Sequence, residues 1–504
     1  MTRDETIALF LQGREAWNAW AEGMLAERKR LEDAGLWGEG DASNQKAKTW
    51  MEQATADYSK VIFFNHDCII DWENPRLSKI QTFIDKPRPE FKTLQSTGNF
   101  SGWVFPWNVS FANSYFACIL TFQETKVFGS TDFSGSYFLL DIWFSKSEIF
   151  RECYFISSEF YGEVRFNQNS LRGLLFFNQS DSRGDFVFTK NNCYAEVLFN
   201  QTKFRAPAGF LSNTFQNNVQ LYKVIFQNWV EFKESSFEKG VIFEDAVFQG
   251  AAKFVSVNFS EVGGKADFFQ ATFKRFATFR DAHFHRDARF TAISAERAFD
   301  LRGAQFDTLP DFTQANFREA PHLDNLKLGD TVEPGGFWRP VPGDAEADAV
   351  ANHRSLRRLA IQAHDHANEQ KFLRGEIRAR RGNEDKPWHA AYWMGVLYDA
   401  VSDFGRSIAR PFWLWALSAK GFAPGQCANG PGAPILDALY LAYKNALLVI
   451  GWESEQKLNA VHECLYGAAQ APSGVALIQL GQNLVSAVLL FLLLLGVRNR
   501  FKIK

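Results

Sequence analysis

Large apolar residues recur along positions 100–328 in a fixed order. From Phe199 they fall at Phe204, Phe210, Phe215, Leu221, Phe226, Phe232, Phe237, Phe243, Phe248, Phe254 and Phe259. The intervals alternate five and six, so the period is eleven. Carried backward, one phase lands on Phe188, Phe177, Phe166, Phe155, Phe144, Phe133, Phe122, Phe111 and Phe100 without a miss. The other phase is looser: Phe160, Phe138, Phe116 and Phe105 share it with Val127, Ile149, Leu171, Ser182 and Cys193. After Phe259 the register slips by three residues at Ser260–Gly264 and resumes at Phe268, Phe273, Phe279 and Phe284, running to Leu328 with Ala295 in one slot. The slip predicts a surface bulge over Ser260–Asp267, because three extra residues do not fit a packed face.

An eleven-residue period also suits a right-handed helical coil, but the positions argue for extended chain. Two residues before each first-phase Phe stands another apolar or small residue, such as Val109, Ile142, Cys153, Val164 and Val197. Before the second phase the same slot is small: Ser114, Ser136, Ser158, Thr202, Asn213, Ser235 and Ala246. A pair at i and i−2 on one side is strand periodicity. The residues between are rich in Gly, Asn, Ser and Asp, which form turns and resist helix. Each half-unit is therefore a short strand with an inward Phe, followed by a turn. Such a unit cannot bury its ring alone, so the units must stack into a solenoid.

Segments such as Thr131-Asp132-Phe133-Ser134-Gly135-Ser136-Tyr137-Phe138 resemble the pentapeptide-repeat family, in its Phe-rich variant of alternating five- and six-residue units. The resemblance covers nearly half the chain. It implies a mainly β protein built as a right-handed quadrilateral β-helix, with two eleven-residue units per coil. Stacked at about 4.8 Å per coil, roughly ten coils make a rod on the order of 50 Å long.

The flanks divide the chain into residues 1–98, a helical cap and lead-in; 99–330, the solenoid; 331–385, a linker and amphipathic helix; and 386–504, a membrane-associated helical region. Residues 4–34 predict one helix and 45–60 a second, covering the exposed solenoid end. The chain from Val61 to Phe91 reads as irregular. Gly329–Gly336 stops the solenoid, and 345–381 predicts one charged helix ending at Gly382. Trp388–Val401 is aromatic and amphipathic. Gly474–Val497 carries no charge and is long enough to cross a bilayer. Arg498, Arg500, Lys502 and Lys504 follow it, which sets the C-terminus in the cytoplasm.

Composition adds less. Fifty-one of the 504 residues are Phe, and the repeat accounts for the excess. A net charge of −2 with interspersed signs argues against a nucleic-acid partner. The amino terminus shows no secretory signal, and Cys153 and Cys193 fall on inward slots, so the solenoid reads as reduced and cytoplasmic. The location implied is the bacterial inner membrane, with solenoid and C-terminus on the cytoplasmic side. An even number of crossings is then required, and either the chain after Arg410 or Pro434–Trp452 is the second. Cys427 and Cys464 would flank the far-side loop.

Catalytic motifs are missing from this reading: it assigns no catalytic, cofactor-binding or metal-ligating residues and no cofactor. His364, His366 and Glu369 form a metal pattern on paper, but on one helix the two histidines point to different faces. His283 and His285 flank the inward Phe284 and so face outward, without further ligands in view. The functional expectation is a membrane-anchored, non-enzymatic scaffold whose solenoid binds a protein partner, with membrane lipid as a second partner and self-association through the membrane helices. The alternative is a channel-like or pore-forming effector. The C-terminal segments resemble a degenerate two-helix channel module, with Ala438–Tyr443 in the pore-helix place, but Leu447–Trp452 lacks the threonine and paired glycines of a TVGYG-type filter. Some pentapeptide-repeat proteins imitate DNA and bind gyrase. That needs an acidic rod, and here Lys203, Lys223, Lys233 and Arg280 offset the acids.

Overall fold

A computed structural model of the chain describes residues 1–37, 44–65, 90–329, 344–383, 388–402, 408–420 and 473–501. The chain forms two compact units, Met1–Arg339 with Asp348–Leu373, and Pro340–Ala347 with Arg374–Lys504.

The first unit is a parallel β-solenoid of about ten turns with helices at both ends. Four sheets of 10, 12, 9 and 11 strands run along it, and the strands pair in parallel with their equivalents in the neighbouring turns, apart from one added edge strand. The step is 22 residues: Phe138 pairs with Phe160, Phe144 with Phe166, and Phe215 with Phe237. The inward rings form columns as the spacing requires. Phe210 stacks on Phe232 at 4.6 Å, Phe232 on Phe254 at 5.1 Å, and Phe254 on Phe279 at 4.6 Å. Neighbouring columns meet edge to face, as Phe232 does with Phe243 at 5.5 Å and 83°, the arrangement the ring quadrupole favours.

Each turn after a first-phase residue needs one left-handed residue, two positions on. Asn113, Lys146, Gln168, Lys190, Lys223 and Ala292 all take φ between 53° and 57° there. Polar residues mostly fill the position, although each costs about 1–2 kcal/mol relative to αR.

The small slots that follow form two buried polar ladders. Ser136 Oγ donates to the Phe111 carbonyl at 2.8 Å and accepts from the Ser114 N–H at 3.1 Å. Asn191 Nδ2 donates to the Phe166 carbonyl at 2.9 Å, and its Oδ1 accepts from the Asn169 N–H at 2.9 Å. One ladder ends at Thr202, beyond which Val224 and Ala246 take the slot. The other ends at Ser235, beyond which Val257 and Ala282 take it.

At the slip, Val241 pairs with Ala266 and Phe259 with Phe284, three residues beyond the usual step. The bulge is shorter than the predicted Ser260–Asp267. Ser260 and Asp267 are both 1% exposed, and Asp267 is a ladder residue opposite Ile242. Only Glu261–Gly264 loop out, with Val262 65% exposed.

The ladders begin earlier than the repeat pattern indicates. Ala56–Asp57 pairs with Val109–Ser110, and Ile62–Phe64 pairs with Tyr115–Ala117. Tyr58 stacks on Phe111 at 4.9 Å and Phe63 on Phe116 at 5.0 Å. Residues 56–64 are therefore solenoid chain rather than lead-in. Lys92–Gln95 then pairs with Val61–Phe64 on the sheet edge.

The predicted single helix over 4–34 is two: α1 (Arg3–Phe10) and α2 (Arg14–Asp33). Gly13, at φ 90°, makes the corner between them. Phe10 lies 5.4 Å from Phe100, and Trp17 is fully buried with its Nε1 donating to the Val104 carbonyl at 2.9 Å. Asn18 bonds both the Gly102 carbonyl and the Val104 N–H, so the cap satisfies the first coil's free backbone. Helix α3 (Gln45–Ala54) ends before the first strand.

The helix predicted over 345–381 is also two, α4 (Asp344–Gln362) and α5 (His366–Asn383). His364, at φ 55°, closes α4, with Asp365 N–H bonding the Ala360 carbonyl at 2.9 Å. Asp365 Oδ1 then caps α5 through the Asn368 N–H at 3.1 Å. Leu356, Leu359, Ala360 and Phe372 join the solenoid core, and Gln362 Nε2 donates to the Phe317 carbonyl at 2.8 Å. They close the far end of the rod.

In the second unit, α6 (Ala390–Ser402), α7 (Ala409–Lys420) and α8 (Ser473–Phe501) follow the tail of α5. Asp399 on α6 pairs with Arg378 at 2.8 Å and Arg381 at 2.6 Å. Among the described residues no helix is long and apolar enough to cross a membrane. The predicted crossing over 474–497 is thus present as a helix only. Pro434–Trp452, Cys427 and Cys464 lie outside the described residues.

Candidate interaction surface

One outer face of the solenoid carries the chemistry. It belongs to the sheet that begins at Val104–Phe105 and passes through Lys126–Val127, Glu148–Ile149 and Ser170–Leu171 to Lys327–Leu328. The second residue of each strand points inward. The residue after it turns the corner and points out, and its N–H bonds the carbonyl of the inward residue one coil earlier. Thus Phe150 N–H bonds the Val127 carbonyl, Arg172 the Ile149 carbonyl and Tyr194 the Leu171 carbonyl, at 2.8–2.9 Å. The corner column is held in register along the rod: Phe128, Phe150, Arg172, Tyr194, Gln216 and Glu238, then the buried Ser260 at the slip, then His285 and Asp307.

Near the amino-terminal cap the column forms an open groove of about 450 Å³. Phe128 stacks on Phe150 at 4.8 Å. The Arg172 guanidinium lies 4.9 Å from the Phe150 ring and 5.9 Å from Tyr194. Arg151 lies 5.0 Å over Trp107, and Arg28 of α2 lies 5.6 Å over the same indole. Glu152 accepts from Ser130 Oγ at 2.7 Å, and that bond holds its carboxyl below the ordinary range. Gly173 forms part of the floor. A Cβ there would stand 2.0 Å from the Arg151 carbonyl carbon, so the coils approach too closely for a side chain.

At the other end of the same column the histidines come together with an aspartate that the sequence reading did not name. His283 Nε2 lies 2.9 Å from Asp307 Oδ1, and His285 Nδ1 lies 3.3 Å from Oδ2. Burial by itself would raise the Asp307 carboxyl. Hydrogen bonds from His283 and Gln305, with the charges of both histidines, hold it below the ordinary value. The signal was the solenoid step: Asp307 stands 22 residues beyond His285. His283, His285 and Asp307 are the one group of potential metal ligands among the described residues. His364, His366 and Glu369 do not converge: His364 is the αL residue that closes α4, and His366 pairs with Glu369 at 3.3 Å.

Elsewhere, outward charges pair between coils, as in Arg205–Asp181 at 2.7 Å and Arg183–Glu159 at 3.3 Å. Cys118, Cys153 and Cys193 are buried, and burial pushes the thiols of Cys153 and Cys193 far up. Leu447–Trp452, the segment weighed as a filter, lies outside the described residues. No protein-family model, curated protein or solved structure matches the chain.

Proposed function

We propose that this protein is a membrane-tethered scaffold without enzymatic activity, whose solenoid binds a protein partner along the corner column. The observation that carries the reading is the arginine–aromatic groove of Phe128, Phe150, Arg151 and Arg172. Its side chains are spaced by the hydrogen-bonded step of the coils, so little conformational freedom is lost when a partner docks. Arginine and aromatic side chains are the residues that most often anchor protein interfaces, and extended solenoid faces are a usual place for them. The pairing of acids with arginines between coils weighs against an acidic, DNA-like rod. Four parallel ladders with a 22-residue step, together with the family resemblance, support a right-handed quadrilateral coil of the pentapeptide-repeat type.

The tether is the second unit. On α8, Ser486, Leu489 and Leu492 are buried, whereas Leu484, Phe491 and Leu494 are 58–66% exposed. On α7, Trp413 is 63% exposed. A helical unit with its large apolar side chains outward is suited to lipid. The uncharged run Gly474–Val497 and the basic tail after it support the bacterial inner membrane, with solenoid and C-terminus in the cytoplasm. Lipid, the docked protein and a second copy of the membrane helices are the proposed partners.

The test is a photo-crosslinking residue placed at Tyr194 in the membrane-bound full-length chain, with Ile225 on another face as control. One defined adduct from Tyr194, lost in Arg151→Glu/Arg172→Glu, is expected. Equal adducts from both positions would remove the docking face. Release of the full chain from membranes by alkaline carbonate would remove the tether.

A further inference from the structure

We propose that His283, His285 and Asp307 form a binding site for a divalent transition-metal ion, with zinc preferred. The two histidines flank inward Phe284, so both rings leave the same side of the chain. Their centroids lie 3.7 Å apart. Asp307 reaches them from the next coil. Its N–H bonds the Phe284 carbonyl at 2.9 Å, which fixes its carboxylate beside the rings.

The ligand atoms all lie within 4.8 Å of one another. A tetrahedral zinc with bonds of about 2.0–2.1 Å holds its nitrogen and oxygen ligands about 3.3–3.5 Å apart. The distances of 2.9 Å and 3.3 Å from His283 and His285 to Asp307 therefore need only small side-chain adjustments to admit an ion. Two imidazoles and one carboxylate make a donor set for zinc and its neighbours, whereas calcium and magnesium favour all-oxygen shells. The side chains are 24–40% exposed, so an ion has a path in.

Three protein ligands leave one position free. Gln305 borders it, with its Nε2 3.0 Å from His283 Nε2 and 3.1 Å from Asp307 Oδ1. Rotation of that amide would present Oε1 to the metal; otherwise water completes the shell. The ion would clamp two adjacent coils. The backbone beneath is already paired, with His283 opposite Gln305 and Phe284 opposite Phe306, so binding orders little besides four side chains.

The experiment uses the full-length chain, stripped with a chelator and titrated with zinc against a chromophoric competitor. The wild type should take up one zinc that His283→Ala/His285→Ala does not, and affinity should fall at least tenfold in Asp307→Ala. Zinc should raise the unfolding temperature of the wild type and leave that of the double variant unmoved. The replaced side chains point outward, and circular dichroism checks that both variants keep the solenoid. Equal zinc uptake by the wild type and the double variant, or no uptake by either, would overturn the proposal.

Discussion

Phe299 fills the space that Ala295 leaves in the core. Ala295 stands in its column between Phe273 and Phe317. The Phe299 ring enters from the next sheet and lies 5.6 Å from Phe273 and 5.2 Å from Phe317. Ser182 and Phe186 repeat the exchange: Ser182 stands between Phe160 and Phe204, and Phe186 lies 5.0 Å from Phe204. A small residue in one column is matched by a large one in its neighbour, as dense packing requires.

The two positions should therefore couple. Phe299→Ala alone should cost about 3–5 kcal/mol, and Ala295→Phe alone about 1–3 kcal/mol by overpacking. The double variant, measured by urea unfolding, should be destabilised by clearly less than the sum. Strict additivity would show that the exchange does not govern packing here.

The polar ladder makes a second prediction. Asn191→Val leaves the Phe166 carbonyl and the Asn169 N–H without the partners that Asn191 supplies. The expected cost is about 1–3 kcal/mol for the buried groups left unpaired. A stability equal to wild type would mean that the turns satisfy these groups themselves.

Tyr58 holds a Phe position, and its fully buried hydroxyl has no hydrogen-bond partner. Burial accordingly raises its phenol far above the ordinary value. Tyr58→Phe should keep the stack on Phe111 and raise stability by about 1 kcal/mol. A lower melting temperature for Tyr58→Phe would count against this account.

The inward columns could be read from the sequence because ring spacing alone sets which residues share a face. The small slots were seen as well, but not their bonding, since a ladder needs the step between coils as well as the step along the chain. The first turn escaped notice because Tyr58 and Phe63 keep the five-residue interval but are separated from the repeats by 66–89. The breaks at Gly13 and His364 interrupt runs whose helical patterning looked continuous, and Asp365 as a cap was the missed sign. The groove could not be foreseen: Arg28 and Trp107 are far apart in sequence and meet only once the cap is docked.

Deleting Glu261, Val262 and Gly263 should restore the ordinary step. The segment is exposed, and its bonds are two from Val262 and Gly263 N–H to the Glu238 carbonyl. The expected change is within about 1 kcal/mol, read as a small shift in melting temperature. Loss of cooperative unfolding would show that the extra length matters.

Asp300 predicts an acid limb. It is 1% exposed, and its carboxylate lies 2.8 Å from Arg302 Nε. Burial would raise its carboxyl, but the bonds and charge of Arg302 hold it below the ordinary value. The folded state therefore favours the ionised form. That stability is fully present above the unfolded value of about 3.9 and is lost as pH falls through the lower folded value. Asp300→Asn should be less stable than wild type at neutral pH, and the gap should close on acidification. A gap that stays constant with pH would place its cause elsewhere.

The polar ladders also give the rod a direction. Both bonds of Ser136 Oγ serve the coil before it, as does the bond from Asn191 to the Phe166 carbonyl. A newly made coil therefore waits for its successor to satisfy its interior. On a ribosome each coil up to those holding Thr202 and Ser235 stays incomplete until the next coil is made, whereas farther along the two ladders Val224, Ala246 and Val257 occupy the slot and supply no such bond. Nascent chains arrested within the ladders should be protease-sensitive in the last coil made and protected in the coils before it; sensitivity along the whole length would count against this direction.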